Sequence, residues 1–124
     1  KGMCEGCGFT EFTIPEWVTT IRDCAFQECV GLAEIVIPNS VVSIGDHAFD
    51  GCDELNEVTI PNSVVSIGNC AFRRCYGLTE IAIPQSVVSI GDRAFEDCFD
   101  LNVTISDTTI SIGKDAFKGC MAVL

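Results

Sequence analysis

Residues Ile37–Cys52 read IPNSVVSIGDHAFDGC. The same phrase returns 23 residues later as IPNSVVSIGNCAFRRC (Ile60–Cys75), and again as IPQSVVSIGDRAFEDC (Ile83–Cys98). Working outward from these copies, Ala-Phe pairs recur at Ala25-Phe26, Ala48-Phe49, Ala71-Phe72, Ala94-Phe95 and Ala116-Phe117. Cysteines keep step at Cys29, Cys52, Cys75, Cys98 and Cys120, and an apolar column follows at Leu32, Leu55, Leu78, Leu101 and Val123. A fixed period of this length marks an architecture built by stacking. A single 22-residue step is explained by one residue missing between Leu101 and Val103, and Phe9 and Met3 fall into the Leu and Phe columns of a preceding partial repeat. The units are therefore 9–31, 32–54, 55–77, 78–100 and 101–122, with fragments at both ends. They form one domain over residues 1–124 with no linker, read as a piece of a longer protein.

Each unit divides into three parts. LAEIVIP, LNEVTIP and LTEIAIP alternate apolar and polar residues and stop at a proline, which has no N–H for further pairing: a short strand. SVVSIG is extended and β-branched, and its glycine suits a turn with positive φ. DHAFDGC then offers Asp46 as an N-cap for one helical turn that buries Ala48 and Phe49. Arg22 and Lys114 depart from the pattern in the outer units, where looser geometry is expected. One such unit cannot close a core. Stacked in phase, the units give an α/β fold with parallel strands about 4.8 Å apart and continuous Leu, Ile, Phe and Cys ladders.

The 124 residues carry a formal net charge of −11, which disfavours nucleic acid and anionic membrane surfaces and suits basic partners or divalent cations. No apolar run approaches the roughly 18 residues of a membrane span, so membrane insertion is not expected.

The columns L-x-x-I-x-I-P and S-V-x-S-I-G-x-x-A-F-x-x-C resemble the leucine-rich repeat of the BspA-like family, related to repeats of Treponema surface proteins. The resemblance runs from Phe9 to Cys120, with local departures at PEWVTTIRDCAF (Pro15–Phe26), near Asn102, and at Ser106 where proline is expected. It implies a right-handed solenoid with its parallel sheet on the concave face, and short extended segments and one-turn helices on the convex side. It also implies a cell-surface or secreted, virulence-associated setting. The partner it implies is a protein ligand, such as a host extracellular-matrix or cell-surface protein.

Function is sought on a face rather than in a pocket. Glu11, Glu34, Glu57 and Glu80 each lie between two strand positions that point inward, so stacking sets them in a row on the outer face. Like charges at that spacing raise proton affinity and attract cations. Thr13, Val36, Thr59, Ala82 and Thr104 run beside them as a floor of small side chains. One reading is a recognition surface for the Lys and Arg of a partner. The competing reading is a solvated face on a spacer array that binds nothing.

A third reading is a metal- or redox-active centre on Cys4, Cys7, Cys24 and Cys29, but a second C-x-x-C pair is missing. The recurring cysteine column is read as core packing, while Cys24 and Cys70 share a column with His47, Arg93 and Asp115 that is expected to face solvent. His47, the one histidine, has no nucleophile or acid assigned to it, so no catalytic residue, metal or cofactor is expected. Trp17 is read as covering an irregular end, with a partner anchor as the alternative. Asn102-Val103-Thr104 is a glycosylation triplet that has meaning only in a eukaryotic secretory setting. Neither end carries a convincing polar cap, which predicts weak end-to-end self-association.

Overall fold

The structure is a computed structural model that describes residues 8, 10–105 and 109–123. Met3, Cys4, Cys7, Phe9 and Ser106 lie outside the described residues. The chain winds into a parallel β-solenoid of about five turns. The first segment of each unit forms β1 (Glu11–Thr13), β3 (Glu34–Val36), β6 (Glu80–Ile83), β8 (Asn102–Ile105) and β10 (Ala122–Val123). The SI dipeptide and its equivalents form β2 (Thr20–Ile21), β4 (Ser43–Ile44), β5 (Ser66–Ile67), β7 (Ser89–Ile90) and β9 (Ser111–Ile112). All pairings are parallel and in repeat register. Ile21 faces Ile44, Ile44 faces Ile67, Ile67 faces Ile90 and Ile90 faces Ile112.

Stacking puts like over like inside. Phe26, Phe49, Phe72 and Phe95 have no exposed surface, and their rings stack at centroid distances of 5.3, 5.0 and 5.1 Å. The buried leucines at 32, 55, 78 and 101 and the cysteines at 52, 75 and 98 fill the same interior. Thiol packing here includes a hydrogen bond. Cys52 Sγ donates to the Phe26 carbonyl at 3.1 Å, Cys75 Sγ to Phe49 at 3.2 Å and Cys98 Sγ to Phe72 at 3.0 Å. Burial pushes the Cys52 thiol up to about 12, so it stays protonated and can donate.

The one-turn helix is not formed: among the described residues there is no helix, and the architecture is all β rather than α/β. The reason lies in how the backbone amides of this segment are shared. Ala25, Gln27 and Cys29 donate within their own coil, to Arg22, Cys24 and Phe26. The residues between them, Cys24, Phe26 and Glu28, donate instead to Asp46, Ala48 and Asp50 of the next coil, at 2.9, 2.7 and 2.8 Å. An α-helix would turn every N–H along its own axis and leave none for the neighbour. To aim alternate amides outward the backbone enters the left-handed region twice per coil. Cys24, Glu28, His47, Cys70, Arg74, Arg93, Asp97 and Asp115 have φ between 56° and 64°. Each non-glycine residue there costs about 1 kcal/mol or more. All of them but Asp115, which is in the last coil, return an inter-coil hydrogen bond of 2.8 to 2.9 Å.

Two further expectations change. Asp46 does not cap a helix; its Oδ1 accepts the Asn69 N–H of the following coil at 2.8 Å. The same bond runs from Asp46 N to Asp23, from Asp92 N to Asn69 and from Lys114 N to Asp92. Nor do Gly45, Gly68, Gly91 and Gly113 adopt positive φ; among the described residues the positive-φ glycines are Gly51 and Gly119. The Gly45 column is needed for close approach, since a Cβ at Gly68 would lie 2.5 Å from Asp46 Oδ1 and 2.7 Å from its backbone nitrogen. In the fifth unit the ladder bond persists, while Ile112 is 47% exposed against 2% for its inner equivalents. Lys114 contributes only its N–H to the ladder. Arg22 stands in the first described coil, where no ladder oxygen presses on its Cβ among the described residues.

The glycine column gives a direct test. Gly68→Ala should destabilise the chain by about 1–3 kcal/mol through overpacking. Gly31→Ala, where an added Cβ meets nothing within 4 Å, should change stability far less. Urea midpoints of the two variants compare them; equal midpoints would contradict the close-approach account.

Candidate functional site: an acidic sheet face

The alternation in each strand decides what faces outward. Ile35 and Ile81 point in and are 4% exposed, so the residues on either side of each point out. Glu11, Glu34, Glu57 and Glu80 are all exposed, and register pairs Glu11 with Glu34 and bridges Glu34 to Glu57. In the fifth coil the row continues as Asn102, opposite Glu80. The neighbouring row is exposed too. Thr13 pairs with Val36 and Ala82 with Thr104, while Thr59 holds the equivalent position between them. All nine residues singled out in the sequence thus lie on one face. The carboxylates sense one another: the charge of Glu57 chiefly, then its side-chain hydrogen bond, slight burial and Glu11, raise the Glu34 carboxyl above its ordinary range.

The sheet carrying these residues is not continuous. β1 and β3 form one piece, extended only by the Glu34–Glu57 bridge, and β6, β8 and β10 form another. Between them, no backbone hydrogen bond joins the 58–60 segment to β6, although the two coils are joined throughout the SI sheet and the turns. A hollow flanks this segment on each side. One, of about 540 Å³, is lined by Glu34–Ile37, 56–59, Thr79 and Glu80. The other, of about 770 Å³, is lined by 58–60, Asn62, 80–84, Asn102 and Thr104. The face therefore offers carboxylates, a low apolar floor and unpaired peptide groups together. That combination suits a protein surface bearing Lys or Arg.

Elsewhere the structure revises several expectations. His47 is not simply solvated: its Nδ1 lies 2.8 Å from Asp50 Oδ2, and its side chain is 36% exposed. Asp50, 3% exposed, also accepts from Arg73 Nη2 at 2.9 Å and Nε at 3.3 Å, which ties the second coil to the third. The signal for it was in the sequence. The column Asp50, Arg73, Glu96, Lys118 alternates in sign from coil to coil. Cys70 is buried rather than solvent-facing, and burial chiefly raises its thiol. Cys29 is disulfide-bonded and so is not available as a thiolate to a metal. Among the described residues no cluster of three His, Cys, Asp or Glu side chains is placed to hold a metal ion. Trp17 covers no end; it is 81% exposed. Asn102 lies half-buried within β8.

The coil period and the columns match the BspA-type leucine-rich repeat model, six copies of which cover residues 1–123. The chain belongs to that family. Leucine-rich repeat proteins are commonly protein-interaction modules. Its solenoid is similar to the leucine-rich repeat protein of T. pallidum, at 30% identity and a TM-score of 0.86 over 92% of this chain. It is equally similar to a leucine-rich cell surface protein of Faecalibacterium prausnitzii, at 30% identity and 0.86 over 94%. A leucine-rich repeat protein of Bacteroides ovatus follows at 28% identity and 0.72 over 91%. The chain spans 57%, 32% and 42% of those three structures. Among curated proteins none matches the sequence.

The raised Glu34 carboxyl carries a pH signature. A proton is held more tightly in the fold than in the unfolded chain, so the repulsive cost is present above the folded value and vanishes as pH falls towards the ordinary carboxylate range. Glu34→Gln should therefore raise the melting temperature slightly at pH 7, with the gain shrinking towards pH 4. Melting temperatures of both proteins across that range would show it; a constant difference would contradict the repulsion.

Proposed function

We propose that the protein is a non-enzymatic recognition module of a surface-exposed or secreted protein, and that it binds a basic protein partner on its acidic sheet face. The observation that carries this reading is the in-register row of exposed carboxylates beside a floor of small side chains. In this reading the sheet is the concave side of a right-handed solenoid, where one partner surface can reach several coils at once. Glu11, Glu34, Glu57 and Glu80 supply charge complementarity and on-rate. Thr13, Val36, Thr59, Ala82 and Thr104 are the contact floor. The cell-surface placement draws support from the description of the F. prausnitzii structure as a cell surface protein. A disulfide at Cys29 suits an oxidising compartment as well. The partner class is a host extracellular-matrix or cell-surface protein.

The triple variant Glu34→Gln, Glu57→Gln, Glu80→Gln should keep its fold but bind immobilised matrix protein more weakly. Removing three exposed charges should also flatten the salt dependence of binding. Unchanged binding and salt response would favour a spacer array with no ligand of its own.

A second reading concerns the end of the solenoid. Ile112 is 47% exposed, whereas its equivalents Ile44, Ile67 and Ile90 are 2% exposed, and Met121 and Val123 in the same unit and the next are 63% and 47% exposed. In the 124-residue chain, such exposed apolar side chains favour weak self-association. Light scattering should show a concentration-dependent rise in apparent mass, suppressed in Ile112→Lys. A strict monomer at high concentration would sink it.

A further inference from the structure

Tyr76, Phe99 and Met121 stand in one column, each just after a cysteine of the ladder, and all three face outward at 42%, 53% and 63% exposure. The Tyr76 and Phe99 rings are stacked, with centroids 5.8 Å apart and planes inclined by 10°. Nothing in the core requires them. The column tolerates Asp53 in the second coil, and Asp53 is exposed. Exposed aromatic pairs of this kind are the residues that carry binding energy at interfaces.

The stack fixes which surfaces remain free. Phe99 stacks on one face of Tyr76, and on the opposite side the preceding coil places Asp53 in the same column. Tyr76 and Asp53 are both exposed, so an aromatic ring and a carboxylate are presented to solvent in adjacent coils. Among the described residues Asp53 forms no ion pair, and Arg74, the exposed cation two residues before Tyr76, makes neither an ion pair nor a ring contact. Asp100, next to Phe99 in the chain, adds a further exposed negative charge.

We propose that this strip docks an arginine of a partner protein, its guanidinium against the exposed Tyr76 ring with its edge donating to the Asp53 carboxylate, and with neighbouring apolar side chains lying on Phe99 and Met121. A planar guanidinium can stack on a ring and donate to a carboxylate at its edge at the same time, which an ammonium does less well. Charge selects the class of occupant. The exposed carboxylates Asp53 and Asp100 beside the rings favour a cationic side chain, and at a net charge of −11 the phosphates of nucleic acid are repelled. The strip uses none of the residues of the carboxylate row and does not depend on that row binding anything.

Tyr76 is the one tyrosine of the chain, so 3-fluorotyrosine reports on this position alone. The full chain, so labelled, is titrated with a capped peptide carrying one arginine between two leucines, and with its lysine and citrulline counterparts. The fluorine resonance should shift with the arginine peptide, and affinity should fall about tenfold for citrulline and less for lysine. Asp53→Asn and Phe99→Ser should each weaken binding several-fold at an unchanged melting temperature. Glu34→Gln/Glu57→Gln/Glu80→Gln should leave the titration as it is. Equal binding of the citrulline peptide, or no effect of Asp53→Asn, overturns the proposal. Loss in the triple glutamine variant with retention in Asp53→Asn also overturns it, by placing the arginine on the carboxylate row instead.

Discussion

The structure depends on how one short segment distributes its amide protons. In the residues around each Ala-Phe pair, alternate N–H groups are spent within the coil and on the next coil. The inter-coil half of that pattern is what makes a stack of units that cannot fold singly. It fixes the coil separation near the 5.0–5.3 Å at which the phenylalanine rings meet, and every other column has to fit that distance. The left-handed residues are strained only locally. Their amides sit where a neighbouring carbonyl can take them, so the strain is offset at each joint.

The remaining columns follow from that spacing. Glycine stands where the next coil passes too close for a Cβ, and Asp or Asn stands beside it because a short side-chain oxygen reaches the following amide. Cysteine fits where a side chain must be small, tolerate a dry interior and still donate one hydrogen bond to a carbonyl. The two sheets are then unequal. The SI sheet and the turns bind every pair of coils, whereas the acidic sheet breaks between the third and fourth. The coils are held together from the side that carries no charge row, which leaves the charged face free to open into hollows.

Much of this was legible in the sequence. Period, strand positions, the buried ladders and the outward row from Glu11 to Glu80 follow from the columns alone, because a stack in register turns sequence periodicity into spatial neighbourhood. The helix was misread for a physical reason. Ala48, Phe49 and Cys52 lie at spacings that share one helical face, and that pattern cannot distinguish a helix from turns whose amides point to another coil. Gly45 was assigned to a special φ when its constraint is contact with Asp23. The inter-coil ion pair of Asp50 and Arg73 was encoded as a sign alternation, visible only when columns are compared rather than single residues. The break in the acidic sheet has no counterpart in the columns, since the third unit repeats the strand pattern as faithfully as its neighbours.

Where the repeats agree, they describe the fold; recognition has to be written where they disagree. The cores of successive coils are interchangeable, so a partner cannot find its place along the solenoid from them. The carboxylate row is nearly uniform as well, and a uniform row provides attraction without position. The column Val30, Asp53, Tyr76, Phe99, Met121 carries a different residue in every coil and passes from aliphatic to acidic to aromatic. It lies at the entrance to the strands, only four residues before the row at Tyr76 and Glu80, so a partner bound as proposed on the acidic face would lie close to it. Under the proposed function, a long-range field common to the coils would serve approach and a short-range column that varies along the stack would serve registration, a division that stacking itself makes available.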